Sequence, residues 1–279
     1  MPDPPSWGPD DGSPPLPPIP GAGVRRGLDG RPLSTWGVWE VVGIVLLGFF
    51  LGTIASIPIF VLMGDTQRNG AAGPSELLQG VISDLVMVAT LIVWLRRRHP
   101  TWWQIIGFPT RQRLPVEIAI GAGLGLVVRF AAGIASAIVA STLQHATGKA
   151  VSVPEQVRSN MSAPELVLFA LYAVIVAPIT EELVFRGLLY RSIRDRIGVI
   201  AGAVLSAIPF GLIHFIGGQP WQDVLTLQLT MVVTGIGLAL IYERRGTIVA
   251  DIAGHAAFNL LAVILIASGA AFAPGFLRW

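Results

Sequence analysis

The sequence predicts an all-α, polytopic membrane bundle of about seven helices, or eight if one more is hidden, around a polar intramembrane cavity. Composition is the first ground: 53% of the 279 residues are hydrophobic and 13% charged, where an average soluble domain carries roughly a quarter charged residues. Too few charges remain to wet a soluble surface. The second ground is that apolar stretches recur along the chain, each near the ~20 residues a helix needs to cross a ~30 Å hydrocarbon layer. The third is that three clusters of polar and ionisable groups break those stretches, all of them in the last four.

Residues 1–33 hold ten of the 21 prolines, with several Gly and Asp and no hydrophobic period, and are expected to form a disordered, partly polyproline-II tail. This segment lacks the basic, apolar and small-residue regions of a cleaved signal peptide. Residues 34–279 form the membrane domain. Its spans are expected at Val38 to Met63, Leu77 to Leu95, Val116 to Leu143, Glu165 to Leu189, Val199 to Ile216, Val224 to Tyr242 and Ile248 to Ser268. Connectors rich in Gly, Pro and charge separate them. Gly121 with Gly125, and Gly133 with Ala137, place small residues four apart, which allows close helix contact in lipid. No inverted repeat of the kind many transporters carry is evident.

Alternating the connectors between two sides puts 14 Lys and Arg on one side and 4 on the other, with Arg129 left inside a span. By the positive-inside rule the tail, the Arg96 to Pro115 connector and the Arg191 to Arg196 stretch are cytoplasmic, and with seven spans the C-terminus lies outside. The net charge of +2 gives no footprint for nucleic acid. With no cysteine, disulfides, thiolate zinc ligands and thiol nucleophiles are excluded.

An ionisable group inside a membrane helix costs several kcal/mol unless it is paired or lines a wet cavity, so each is a functional candidate by default. The fourth span carries Glu181, Glu182 and Arg186. Glu182 and Arg186 share a face at i, i+4 in the favourable acid-before-base order, while Glu181 is turned ~100° away and left free. The fifth span carries Phe210 and His214. The seventh carries Asp251, His255 and Asn259, one polar stripe at four-residue steps, which reads either as part of a site or as interhelical hydrogen-bond glue. Glu40, Asp84, Glu117 and Arg129 read as structural, with Asp84 and Arg129 open as a buried pair or as cavity liners. His99 and His145 are expected to face water, and Trp102-Trp103 to anchor at the headgroups.

Glu-Glu-x-x-x-Arg at Glu181, Glu182 and Arg186, Phe-x-x-x-His at Phe210 and His214, and His-x-x-x-Asn at His255 and Asn259 follow one another on separate hydrophobic helices. In this order they resemble the CPBP family, the CAAX prenyl endopeptidases and their bacterial bacteriocin-processing and immunity relatives, over residues ~160 to 265. The resemblance implies an integral protein of a prokaryotic plasma membrane. Its activity would be intramembrane endopeptidase cleavage of a peptide or lipidated peptide, in a cavity open to the cytoplasm. It further implies that Glu181 is the general base, that His214 helps hold the attacking water, and that His255 and Asn259 donate to the oxyanion. Glu182 and Arg186 would be a supporting pair, with Phe210 and Asp251 beside the site.

The chemistry is consistent with those residue types, because peptide hydrolysis needs a base for water, an acid for the leaving amine and donors for the developing oxyanion. There is no Gly-x-Ser-x-Gly elbow for an acyl-enzyme. Glu181, His214 and His255 would also suffice as ligands of a catalytic zinc, although the His-Glu-x-x-His helix is absent. The metal-free, glutamate-dependent reading is preferred and zinc stays open. Two other classes remain: a non-catalytic membrane scaffold or immunity protein, and a proton-coupled transporter, which also needs Glu and His within spans.

Overall fold

The computed structural model describes residues 26–27, 30–66, 72–151 and 161–268. All seven expected spans are helices. They are α1 (Val38–Met63), α2 (Pro74–Arg98), α4 (Leu114–Thr147), α5 (Ala163–Ile197), α6 (Val199–Leu212), α7 (Trp221–Arg245) and α8 (Ile248–Ala267), with a single turn, α3 (Trp102–Ile105), between α2 and α4. Six are long and apolar enough to cross a membrane; α6 is not. At ~1.5 Å per residue its 14 residues cover ~21 Å, less than the ~30 Å layer. The expected fifth span therefore ends at Leu212 rather than Ile216, and His214 sits in the turn that follows.

Helix starts are made by acidic side chains reaching back to free backbone N–H groups. Glu40 accepts from Gly37 N at 2.8 Å, Glu76 from Gly73 N at 2.9 Å, and Glu165 from Ser162 N at 2.7 Å. Glu40 is thus structural, as expected, and so is Glu117, whose two oxygens take Arg245 at 2.9 and 3.0 Å.

The close contact of α4 with α8 follows from the small residues. A Cβ on Gly121 would lie 2.0 Å from Ala250 O, and one on Gly125 2.0 Å from Gly254 O. The two backbones touch with no room for a methyl group. On the outside, Leu46, Phe49, Val61 and Leu62 of α1 are exposed, as the lipid-facing side of a span requires.

One face of the bundle gathers the arginine-rich connectors. Arg194 and Arg31 both bind Glu243 (3.0 and 2.8 Å), and Ser34 N donates to Asp195 at 2.6 Å. The expected tail lies mostly outside the described residues. In its described end Gly30 N donates to Gly27 O at 2.9 Å, and Pro32 lies on this face, where Arg191 donates to its carbonyl oxygen. Trp36 follows, fully buried, donating to Leu188 O at 3.2 Å.

His99 is a correction. It is buried rather than exposed to water, because Thr35 and Trp36 fold over it: Thr35 Oγ1 and His99 Nδ1 are 2.7 Å apart, and its ring lies between Trp36 and Trp94 at 5.2 and 4.8 Å. His145 is exposed, as expected.

Two outcomes follow. Gly125→Ala should separate α4 from α8 and cost about 1–3 kcal/mol of stability by overpacking, read as a lower thermal midpoint in detergent. Burial holds the His99 pKa below its usual 6.5. The neutral ring is therefore favoured in the fold, and its contribution is complete above pH 6.5 and lost as pH falls below it. Release of the 30–36 segment, followed by proteolysis, should rise under mild acid, and His99→Phe should remove that dependence.

Candidate active site

Helix α5 is not a regular α-helix. It opens into wider π turns at Tyr172–Val176 and again at Leu183–Tyr190, a distortion that recurs at functional sites. In the first, Ala177 N bonds to Tyr172 O, five residues back. The next bond in that pattern would join Ala173 O to residue 178, which is Pro178 and has no N–H. A carbonyl freed at membrane depth needs another donor. Asn259 of α8 supplies it, with Nδ2 at 2.7 Å from Ala173 O.

The same logic places His214. His214 N bonds to Gly211 O as α6 ends, which leaves Phe210 O without its usual helical donor. The His214 ring turns back and donates Nδ1–H to it at 2.7 Å. In the neutral ring this leaves Nε2 as a bare lone pair, 4.0 Å from Glu181 Oε2. That carboxylate oxygen is buried and has no hydrogen-bond partner.

Glu182 and Arg186 are paired, as their spacing predicts, at 3.1 Å and almost without exposure. Glu182 has a second role that spacing along one helix does not reveal. The oxygen that takes Arg186, Oε1, also accepts His255 Nδ1 at 2.7 Å. Arg186 in turn donates to Gly235 O of α7 at 3.0 Å and stacks on Phe210 at 4.4 Å. Phe210 is 1% exposed and touches the rings of Phe185, His214 and His255, with centroids at 5.2, 4.9 and 6.0 Å. Asp251, one turn before His255, is fully buried with Glu182 as its charged neighbour.

The polar stripe of α8 is therefore in large part interhelical glue, the second of its two readings: His255 and Asn259 each spend one donor on α5. What remains for chemistry is His255 Nε2, plus the second N–H and the carbonyl of Asn259.

Glu181, His214, His255 and Asn259 all line one cavity of about 580 Å³. Asp84 and Arg129, which along the chain could be a buried pair or cavity liners, both line the cavity. Asp84 is hydrogen-bonded to Tyr172 and Thr180 and lies within charge range of Glu181. Its mid-span position was the only signal in the sequence, and Tyr172 gave none. No three His, Asp or Glu side chains among the described residues converge to hold a metal ion, so the Glu181, His214 and His255 set does not fit as a ligand group in this geometry.

Fold and site define a class: a helical membrane protein with a carboxylate, two imidazoles and an amide around one cavity. Residues 163–261 match the family model described as type II CAAX prenyl endopeptidase, Rce1-like. The match begins at the first turn of α5 and ends within α8, and bears out the resemblance read from the three motifs. It supports a CAAX-type intramembrane protease in general terms. No curated protein and no solved structure matches the chain.

Glu182→Ala would strand the Arg186 guanidinium in the core. Breaking a buried pair on one side costs about 3–5 kcal/mol, so thermal unfolding should show a large loss. Restoring neutrality with Glu182→Ala plus Arg186→Met should recover a substantial part.

Proposed function

We propose that the protein is a glutamate-dependent intramembrane endopeptidase acting on a peptide drawn into the cavity from the cytoplasmic side. The observation that carries this reading is the approach of Glu181 Oε2, buried and without a partner, to His214 Nε2 at 4.0 Å in the cavity wall. That gap is too long for a direct hydrogen bond and suits a bridging water. A water held there gives up its proton to Glu181 as its oxygen attacks the scissile carbonyl. Glu181 then returns the proton to the leaving amine.

The second amide N–H of Asn259 donates to the oxyanion, joined by His255 Nε2 when the ring, whose Nδ1–H is held by Glu182, bears a second proton. Their frames are held in advance: His255 by Glu182, Asn259 by Ala173 O. A carboxylate on Nδ1 fixes the orientation of an imidazole and stabilises its charged form when it forms, as in other hydrolytic sites. Phe210 and Arg186 brace both rings. Asp84, tied to Tyr172 and Thr180, sets the electrostatic surroundings of Glu181. No step here passes through a metal.

The compartment follows from the charge count. The connectors assigned to the arginine-rich side do share one face, and by the positive-inside rule that face is cytoplasmic. Counting ~1.5 Å per residue from Arg191 and from Gly246 puts Glu181 and His255 ~13–15 Å beneath it.

The test is cleavage of a quenched, prenylated peptide by protein purified in detergent. Wild type should cleave. Glu181→Gln, His214→Ala and His255→Ala should each lose about 10²-fold or more in kcat while Glu181→Gln keeps the wild-type thermal midpoint. A strong chelator should leave the wild-type rate unchanged; loss restored by zinc would overturn the metal-free mechanism. Undiminished cleavage by Glu181→Gln would remove the base from the reading.

A further inference from the structure

The arginines of the arginine-rich face fall into two groups. At the end of α5 they are spent on protein: Arg194 and Arg31 on Glu243, Arg191 on Asp195, and Arg196 on the carbonyl oxygens of Ser192 and Trp36. Around the α3 turn they are not. Arg96, Arg97 and Arg98 close α2, Arg111 and Arg113 precede α4, and Arg244 lies in the last turn of α7, all of them exposed. Arg98 reaches Glu40 at 3.9 Å, and the other five make no hydrogen bond or ion pair among the described residues. From residue 85 to residue 116 the sequence holds no acid, and Glu117, which follows, is taken by Arg245.

The turn that these cations flank is fixed in place. Ile105 and Ile106 are buried, and the Ile106 side chain packs on Gly187 of α5. Gly107 has φ +72°, in the left-handed region, and a Cβ there would lie 2.0 Å from Gly246 O. That approach ties the turn to the helix end carrying Arg244. Trp103 and Phe108, by contrast, are exposed, and Phe108 is braced edge-on against Trp102 at 5.8 Å. A half-buried, well-anchored turn thus presents two aromatic side chains in the middle of an uncompensated basic strip.

Aromatic residues at the end of a span sit at headgroup level, and clusters of about 4–8 Lys or Arg just beyond a span attract anionic lipid. Every cation of this strip is arginine, whose planar fork takes two phosphate oxygens at once where lysine offers a point charge. We propose that the strip around α3 binds the phosphate headgroups of anionic phospholipids in the adjoining leaflet. The aromatic pair favours lipid over an acidic protein: Trp103 and Phe108 enter the acyl boundary while the guanidiniums hold the phosphate oxygens above it. Bound lipid clamps the ends of α2, α4 and α7 around α3 and, through Ile106, supports the stretch of α5 just beyond Arg186. None of the six arginines lines the cavity, and lipid capture here needs no hydrolytic chemistry.

Native mass spectrometry of the detergent-purified protein, titrated with phosphatidylglycerol or with phosphatidylcholine, tests this. Phosphatidylglycerol should be retained at least tenfold better, since each arginine in contact is worth about fivefold, and should raise the thermal midpoint by binding the folded state. Arg96→Gln with Arg97→Gln and Arg98→Gln should lower the preference, as should Arg111→Gln with Arg113→Gln and Arg244→Gln. All six substitutions together should abolish it, and Lys149→Gln, beyond the opposite end of α4, should leave it intact. Equal retention of the two lipids, an unchanged preference in the variant with all six, or the same rise in midpoint from inorganic phosphate or from polyglutamate overturns the proposal. Should that variant not fold, the two triple variants decide.

Discussion

One oxygen atom holds the site together. Glu182 Oε1 accepts from Arg186 of its own helix and from His255 of α8, in a region with almost no solvent exposure. Arg186 extends the junction to the backbone of α7 and the ring of Phe210 on α6. Four helices therefore meet at a single ion pair. In lipid, apolar side chains give little net drive for one helix to choose another, so buried polar junctions and close backbone contacts determine which helices meet and at what rotation. Breaking this junction on one side would leave a buried charge in place of a constraint.

A second constraint acts on the backbone. Nothing in the hydrocarbon layer satisfies a carbonyl that loses its helical donor. Pro178 and the end of α6 each create such a carbonyl, and the side chains that answer them are Asn259 and His214. The irregularities of the helices and the placement of the polar groups thus have one cause. Each of these groups gives one hydrogen-bonding atom to structure and retains others for the cavity.

Much of this was legible along the chain. Spans of about the right length, small residues at four-residue steps and the Glu182–Arg186 pair all follow from the helical period, which sets what lies on one face of one helix. The failures are equally instructive. The fifth span reads too long because Ile213, Phe215 and Ile216 continue the apolar run after the helix has ended at Leu212. His99 reads as wet because the residues that cover it, Thr35 and Trp36, are more than sixty positions away. Asp84 and Arg129 read as structural, as a buried pair or as cavity liners, because a lone charge in a span looks the same in either role.

By itself the sequence determined that the chain is a helical membrane bundle, which residues break each apolar surface, and which charges meet within a turn or two. Only the tertiary structure decided that His255 faces Glu182 rather than Glu181, that Asn259 answers Ala173, and that Asp84 and Arg129 both line one cavity. The physical reason is that a helix repeats every 3.6 residues and so fixes its own faces locally. The rotation and offset of one helix against another are settled by contacts such as Gly125 on Gly254, which involve residues far apart in sequence and are satisfied only all together.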